Sequence, residues 1–119
     1  MSVSSDELLK KKCLPCEGGV EACSLEQARM QQGAVPRWEL RADGKWIDRT
    51  VRFKNFVKMM EAVHRIAELS EAEGHHPDLH LTGYRNLKIE LTTHAIGGLS
   101  ENDFILAAKI DAILAQAGV

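Results

Sequence analysis

Apolar and polar positions in the middle of the chain predict two strands followed by a long helix. The strands are expected at residues 38–41 and 46–53, around an Asp-Gly pair that favours a hairpin turn. Arg49 interrupts the apolar face of the second strand, so we expect that end of the face to be exposed to solvent. A 3.6-residue apolar period then predicts a helix over Phe56–Glu73. Its expected buried stripe consists of Phe56, Met59, Met60, Val63, Ile66, Ala67 and Leu69.

The same order of elements repeats in the second half of the chain. Residues 79–81 and 87–94 read as a second strand pair, and strict alternation in the latter predicts a half-buried antiparallel strand. Ser100 begins a capping-box-like start of a last helix, which is expected to run to about Ala117. The order ββαββα predicts a two-layer α+β fold, with helices packed on one face of a four-stranded antiparallel sheet.

The first part of the chain reads differently from the rest. Residues 1–23 are polar and are interrupted by proline and glycine, which indicates a loose arm with a short helical piece at 6–12. Ser24 can cap a short helix across Leu25–Gln32. We therefore divide the chain into a cysteine-containing N-terminal arm, residues 1–23, and a folded domain, residues 24–119.

Length and charge argue against several classes of function. A chain of 119 residues is expected to form one domain. Its formal net charge is −2, and it lacks the basic face expected of a nucleic-acid-binding protein. No apolar run approaches the ~20 residues of a membrane span, and the first residues lack the design of a signal peptide. We expect a cytoplasmic protein with neither a nucleic-acid nor a membrane partner.

Three cysteines, Cys13, Cys16 and Cys23, lie close together in the arm. The first two form a C-x-x-C pair, which is found in redox sites and in halves of zinc sites. An odd number of cysteines without a second C-x-x-C favours neither a disulfide framework nor a four-ligand zinc site. We expect reduced and unreactive thiols, with metal binding or redox sensing as the alternatives.

Three histidines carry the candidate chemistry. His75 and His76 follow the predicted long helix and are held by Pro77, whereas His94 ends a predicted strand. Histidine gives and takes protons near neutral pH, so the group could serve acid–base catalysis or bind a metal. The i, i+4 spacing of a helical metal site is absent, and a histidine pair in a surface loop is often only solvated. The histidines alone leave all three interpretations open.

The histidines belong to a longer pattern, Glu71-x3-His75-His76-Pro77-x6-Tyr84-x9-His94-x8-Asp103. This string resembles the motif of the pterin-4a-carbinolamine dehydratase family, and the resemblance covers roughly residues 36–115. Further matching segments are Trp38, Phe53-Lys54-Asn55-Phe56, Thr93-His94 and Gly98-Leu99-Ser100-Glu101-x-Asp103.

The resemblance implies a hydro-lyase, 4a-hydroxytetrahydrobiopterin dehydratase. Such enzymes convert 4a-hydroxytetrahydropterin to quinonoid dihydropterin and water, without a metal or organic cofactor, in tetrahydrobiopterin recycling. The carbinolamine arises when an aromatic amino acid hydroxylase uses tetrahydropterin, so such a hydroxylase is an expected pathway partner. The resemblance also implies the four-stranded α+β fold and a homodimer or homotetramer in which the sheet extends across an interface.

The resemblance also assigns roles to the catalytic side chains. His75 and His76 are candidates for the general acid. His94 is a candidate for substrate binding or for the general base on the opposite side. Glu71, one helical turn before His75, is expected to orient an imidazole and hold its tautomer. Asp103 is expected to do the same for His94.

Further positions match the family's pterin-contacting segments, namely Pro77, Thr93, Ala95 and Ile96. Ile96 departs from the pattern, because some family members carry cysteine there.

Two alternative functions remain beside the enzyme. One is a non-catalytic dimerisation or assembly partner on the same fold, and the other is action on another pterin, such as in molybdopterin metabolism.

Overall fold

The computed structural model describes residues 4–14 and 21–119. The helices are α1 (Ser5–Leu9), α2 (Leu25–Gln32), α3 (Phe56–Glu73) and α4 (Glu101–Gln116), with a 3-10 turn at His94–Ile96. The strands are β1 (Glu39–Leu40), β2 (Ile47–Arg52), β3 (Asp78–Thr82) and β4 (Asn86–Leu91). None of the helices in these described segments has the length and apolar character needed to cross a membrane.

The four strands form one antiparallel sheet in the order β1-β2-β4-β3. Residues Ile47 of β2 and Leu91 of β4 are paired, and the register continues along both strands to Arg52 and Asn86. One face of the sheet is apolar and carries α3 and α4, because the alternating residues of β2 and β4 are buried there. The predicted two-layer α+β fold is confirmed.

Local signals set the ends of the long helices. The Asn55 side chain accepts a hydrogen bond from the Lys58 amide at 2.9 Å and starts α3. Gly74 ends that helix with φ = 68°, a left-handed conformation that glycine adopts without steric cost. The chain therefore leaves the helix axis immediately before His75. Ser100 and Asp103 form a reciprocal capping box at the start of α4.

The buried face of α3 differs from the expected stripe. Met59, Ala62, Ile66 and Ser70 are buried, whereas Phe56 is 52% exposed. The buried residues follow the spacing i, i+3, i+7, i+11, so the helix is rotated about its axis relative to the prediction. Apolar residues of the predicted stripe therefore reach the surface.

Arg49 does not lie at a wet end of the sheet, as the sequence suggested. Its side chain is buried on the helix-covered face of β2, and its guanidinium forms an ion pair with Asp111 of α4. The same carboxylate accepts a hydrogen bond from Trp38 Nε1 at 2.8 Å. A buried arginine is tolerated here because its charge is paired.

The predicted strand over 87–94 is too long at its end. Regular pairing of β4 stops at Leu91, after which Thr93 forms an isolated bridge with Gly98. The chain then turns through the 3-10 segment that begins at His94. His94 therefore lies in a turn instead of on the face of a strand.

The described part of the arm is packed on the domain. Leu8 of α1 is fully buried, and Cys13 is 7% exposed. Both belong to the same hydrophobic core as the sheet and the long helices. The described arm residues are therefore part of the folded unit, although the sequence indicated a loose segment.

Candidate active site

Asp103 is the buried centre of the candidate site. Its carboxylate accepts hydrogen bonds from the Thr93 hydroxyl at 2.8 Å and from the Ser100 amide at 3.0 Å. Its other oxygen lies 2.6 Å from His75 Nε2. Because an ionised carboxylate can only accept, His75 must carry a proton on Nε2 in this contact. Asp103 is 0% exposed, so these three donors compensate for the loss of water around its carboxylate.

This carboxylate joins three distant parts of the chain. His75 comes from the loop after α3, Thr93 follows β4, and Asp103 lies in the first turn of α4. The N-terminal end of a helix favours a negative charge, which supports an ionised Asp103 at this position. His94 is adjacent to Thr93, so the same contact anchors the turn that carries the third histidine.

His76 has a different environment from its neighbour. Its side chain is 59% exposed, and its Nε2 contacts the Glu71 carboxylate in the last turns of α3. A shallow depression of about 260 Å³ lies beside it and is lined by Ile66, Ala67, Ser70, Glu71, His76, Pro77 and Leu79. Adjacent histidines therefore face a buried and an exposed carboxylate respectively.

One of the two carboxylate partners differs from the sequence expectation. Glu71 contacts an imidazole, that of His76, whereas Asp103 contacts His75 instead of His94. The i, i+4 rule that pairs residues 71 and 75 applies only within a helix. Gly74 ends α3 in the left-handed conformation, so His75 is directed toward the start of α4.

His94 is exposed at the beginning of the 3-10 turn, and its ring meets Trp46 in an edge-to-face contact. The ring centroids are 5.6 Å apart and the planes cross at 79°. Sequence reasoning placed Trp46 at the start of a strand and missed this contact, because it joins residues 48 positions apart. The aromatic ring restricts where the imidazole can lie.

The expected substrate contacts fall into two groups. The Thr93 hydroxyl is engaged by both Asp103 and Ser100, so its described role is to support the buried network. Ala95 is exposed and Ile96 partly exposed in the turn beside His94, and Pro77 lines the depression beside His76. These three residues are accessible to a ligand.

The described cysteines have raised pKa values. Burial raises the pKa of Cys13 to about 12, and the neighbouring Glu73 carboxylate adds to the effect. Burial and the Asp103 carboxylate raise the pKa of the Cys23 thiol. Since the thiolate is the nucleophile and the metal ligand, this shift disfavours both kinds of chemistry at Cys13. Cys16, the other half of the C-x-x-C, lies outside the described residues.

No group of three or more histidine, cysteine, aspartate or glutamate side chains converges as a metal site within residues 4–14 and 21–119. The histidines are instead occupied individually by carboxylates or by an aromatic ring. This arrangement is suited to holding imidazole rings and their protons in defined positions.

The family model described as pterin 4 alpha carbinolamine dehydratase matches residues 21–113. The chain belongs to this family. A provisionally named pterin-4-alpha-carbinolamine dehydratase of Methylococcus capsulatus is 44% identical over 92% of this chain and 96% of its own length. Pterin-4-alpha-carbinolamine dehydratase 2, mitochondrial, of Arabidopsis thaliana is 47% identical over 88% of this chain and 58% of its own length. The family predicted from the histidine pattern is confirmed.

Solved structures of relatives have the same fold. A protein described as a transcriptional coactivator/pterin dehydratase from Brucella melitensis is 25% identical, with a TM-score of 0.73 over 78% of this chain and 98% of its own. A pterin dehydratase-like RuBisCO assembly factor of the alpha-carboxysome is 23% identical, with a TM-score of 0.54 over 64% and 87%. The second likeness concerns the fold alone.

Proposed function

We propose that the protein dehydrates 4a-hydroxytetrahydropterin to quinonoid dihydropterin and water by histidine acid–base catalysis. The observation that carries the proposal is the buried His75–Asp103 pair, at 2.6 Å, within a chain of the pterin carbinolamine dehydratase family. A carboxylate that holds one imidazole nitrogen fixes the tautomer of the ring, as acid–base catalysis requires.

Loss of the 4a-hydroxyl group requires a proton on the departing oxygen and removal of a proton from a ring nitrogen. We assign the proton donation to His75 and His76, each oriented by its own carboxylate. The donating form is the imidazolium, in which the nitrogen away from the carboxylate carries the proton that is transferred. His75 is only 5% exposed, so it meets the substrate through one edge of its ring. We assign His94, which follows the Thr93 that contacts Asp103, to substrate binding or to the base role.

The accessible residues around these rings define the substrate contacts in this proposal. Pro77 stiffens the loop that presents His76, and Ala95 and Ile96 lie in the turn after His94. Exposed backbone groups of that turn are suited to bond the amide edge of a pterin, and Thr93 at its start supports the turn through its bridge to Gly98. In this proposal the substrate is the 4a-carbinolamine left by an aromatic amino acid hydroxylase, and the reaction serves tetrahydrobiopterin recycling in the cytoplasm.

We further propose that the protein is a homodimer or homotetramer. Phe56, Val57 and Met60 form an exposed apolar stripe at the start of α3, and Leu81 is exposed on the edge strand β3. An unpaired strand edge can extend a sheet into a second copy, and an apolar helix face can pack on its equivalent. Light scattering of the purified protein tests this oligomeric state.

The test of the activity follows dehydration of freshly generated 4a-hydroxytetrahydropterin by ultraviolet absorbance. The His75→Ala, His76→Ala and His94→Ala variants should each lose about 10²–10⁴ in rate. His64→Ala is the matched control, because His64 is an exposed histidine on α3 that contacts Glu68 and lies outside the proposed site. A chelator should leave the wild-type rate unchanged. The absence of any rate enhancement by folded wild-type protein would overturn the proposal.

A non-catalytic role in protein assembly is the second candidate, and the exposed apolar stripe of α3 favours it. The name of the Brucella relative includes a transcriptional coactivator as well as a pterin dehydratase. A partner bound through this stripe would be lost in a Phe56→Ser variant and retained in His76→Ala. Dehydratase activity would instead be retained in Phe56→Ser and lost in His76→Ala.

A further inference from the structure

The arm crosses from the end of α3 to the start of α4 and is hydrogen-bonded to both. The Cys13 amide donates to Glu73 Oε1 at 2.9 Å. The Leu14 amide donates to Asn102 Oδ1 at 2.9 Å, and Asn102 Nδ2 returns a hydrogen bond to the Leu14 carbonyl at 2.7 Å. We refer to these four residues, Cys13, Leu14, Glu73 and Asn102, as the arm bridge.

The two side chains of the arm bridge have few alternatives to these contacts. Asn102 is buried, and the Glu73 side chain is only 9% exposed. Lys109 of α4 binds the second oxygen of Glu73 at 2.9 Å, which ties α3 to α4 a second time. Burial works to raise the pKa of Glu73, but the Cys13 amide and the Lys109 ammonium outweigh it and lower the pKa. Glu73 is therefore an ionised and fully engaged group.

The arm bridge is adjacent in sequence to the two residues of the buried pair. Glu73 lies two positions before His75, and Asn102 immediately precedes Asp103. The arm thus connects the same two chain segments that the His75–Asp103 hydrogen bond connects. Cys13 and Leu14 precede residues 21–113, the part of the chain that matches the family model.

We propose that the arm bridge positions the catalytic pair, with Glu73 and Asn102 acting through His75 and Asp103. The proposal rests on the dehydratase function proposed above. A hydrogen bond of 2.6 Å between a loop and a helix depends on how far apart the two backbones are held. Small displacements of a reacting group cost large factors in rate, so a positioning contact outside the site can control turnover.

The variants are made in the full chain. Asn102→Ala removes both hydrogen bonds to Leu14, and Glu73→Ala removes the acceptor of the Cys13 amide and the partner of Lys109. Each should lower kcat about 10-fold and leave KM within about twofold, because neither residue touches the substrate. Glu73→Gln keeps an oxygen for the Cys13 amide, and it should recover most of the loss.

Lys11→Ala is the matched control within the arm. Lys11 forms an exposed ion pair with Glu101 at 2.8 Å, in the first turn of α4. Removing it perturbs the same arm and the same helix turn but leaves the four residues of the arm bridge unchanged. Its kcat and pH–rate profile should equal those of the wild type.

Nitrogen-15 NMR of the His75 ring gives a readout that does not depend on activity. The wild-type ring should show one tautomer with its proton on Nε2, and Asn102→Ala should show averaging between the two neutral tautomers. If wild-type protein lacks dehydratase activity, the proposed function fails, and the spectrum still decides whether the arm positions His75.

A folded Asn102→Ala variant with a lower unfolding temperature, but with wild-type kcat, pH–rate profile and His75 spectrum, would overturn the proposal. That result would make the arm bridge a purely stabilising contact. Should Asn102→Ala fail to fold, the comparison of Glu73→Ala with Glu73→Gln decides in the same way. Equal kcat for these two variants and the wild type would refute a positioning role.

Discussion

Replacing Asp103 by asparagine tests how the buried carboxylate holds the site. The substitution keeps the shape of the side chain but turns one acceptor oxygen into an amide donor. Asp103 accepts from Thr93, Ser100 and His75, so at least one of these donors then faces another donor. A buried hydrogen bond to a charged group is worth about 1.5–3 kcal/mol. We expect the free energy of unfolding to fall by about 2–4 kcal/mol.

The expected loss of activity has a separate cause. An amide nitrogen beside His75 Nε2 can donate to that nitrogen, which favours the opposite tautomer of the imidazole. In a serine protease triad the corresponding change of aspartate to asparagine lowers kcat by about 10⁴. His75 is one of several proposed acid–base groups here, so we expect a fall in kcat of about 10²–10⁴.

The assay measures dehydration rates at a temperature well below the unfolding midpoint of the variant, with the folded fraction determined by circular dichroism. Asp111→Asn is the matched control, because Asp111 is also a carboxylate on α4 that accepts from Trp38 and pairs with Arg49. It should lose stability and keep the wild-type kcat. A folded Asp103→Asn protein with wild-type kcat would refute the positioning of His75 by this carboxylate.

Three further outcomes follow from the same contacts. Glu71→Gln should lower kcat about 10-fold at most, since the carboxylate beside His76 is exposed; a larger loss in the dehydration assay would contradict this. Burial raises the pKa of Cys13 from 9.0 to about 12, so the contribution of this thiol to stability is complete well below pH 9 and falls by about 2 kcal/mol at pH 10.5. Urea unfolding of Cys13→Ala with reductant should lack that drop. Arg49→Met should cost about 1–3 kcal/mol in urea unfolding by leaving Asp111 partly unpaired; unchanged stability would count against the ion pair.

The fold was predictable because its main boundaries depend on local chemistry. Asn55 caps α3 with its own side chain, and Gly74 permits the left-handed turn that ends it. Ser100 and Asp103 start α4 through a capping box of four consecutive residues. Each of these signals lies within a few positions in the sequence, so tertiary contacts are not needed to read it.

The partners within the site were not predictable, because they depend on tertiary geometry. Helical spacing pairs Glu71 with His75, but the left-handed Gly74 lies between them and redirects the chain. The sequence likewise could not show that Arg49 meets Asp111, 62 positions away, or that His94 meets Trp46. Three-dimensional packing decides these contacts, and no short motif records them.

The position of Asp103 links the stability of the fold to the chemistry of the site. One of its oxygens closes the first turn of α4 through the Ser100 amide, while the other holds His75. Any opening of that helix turn therefore also releases the imidazole. The arm bridge reaches the same turn through Asn102, one residue earlier. Under the positioning proposal, contacts that stabilise the start of α4 therefore also act on the orientation of His75.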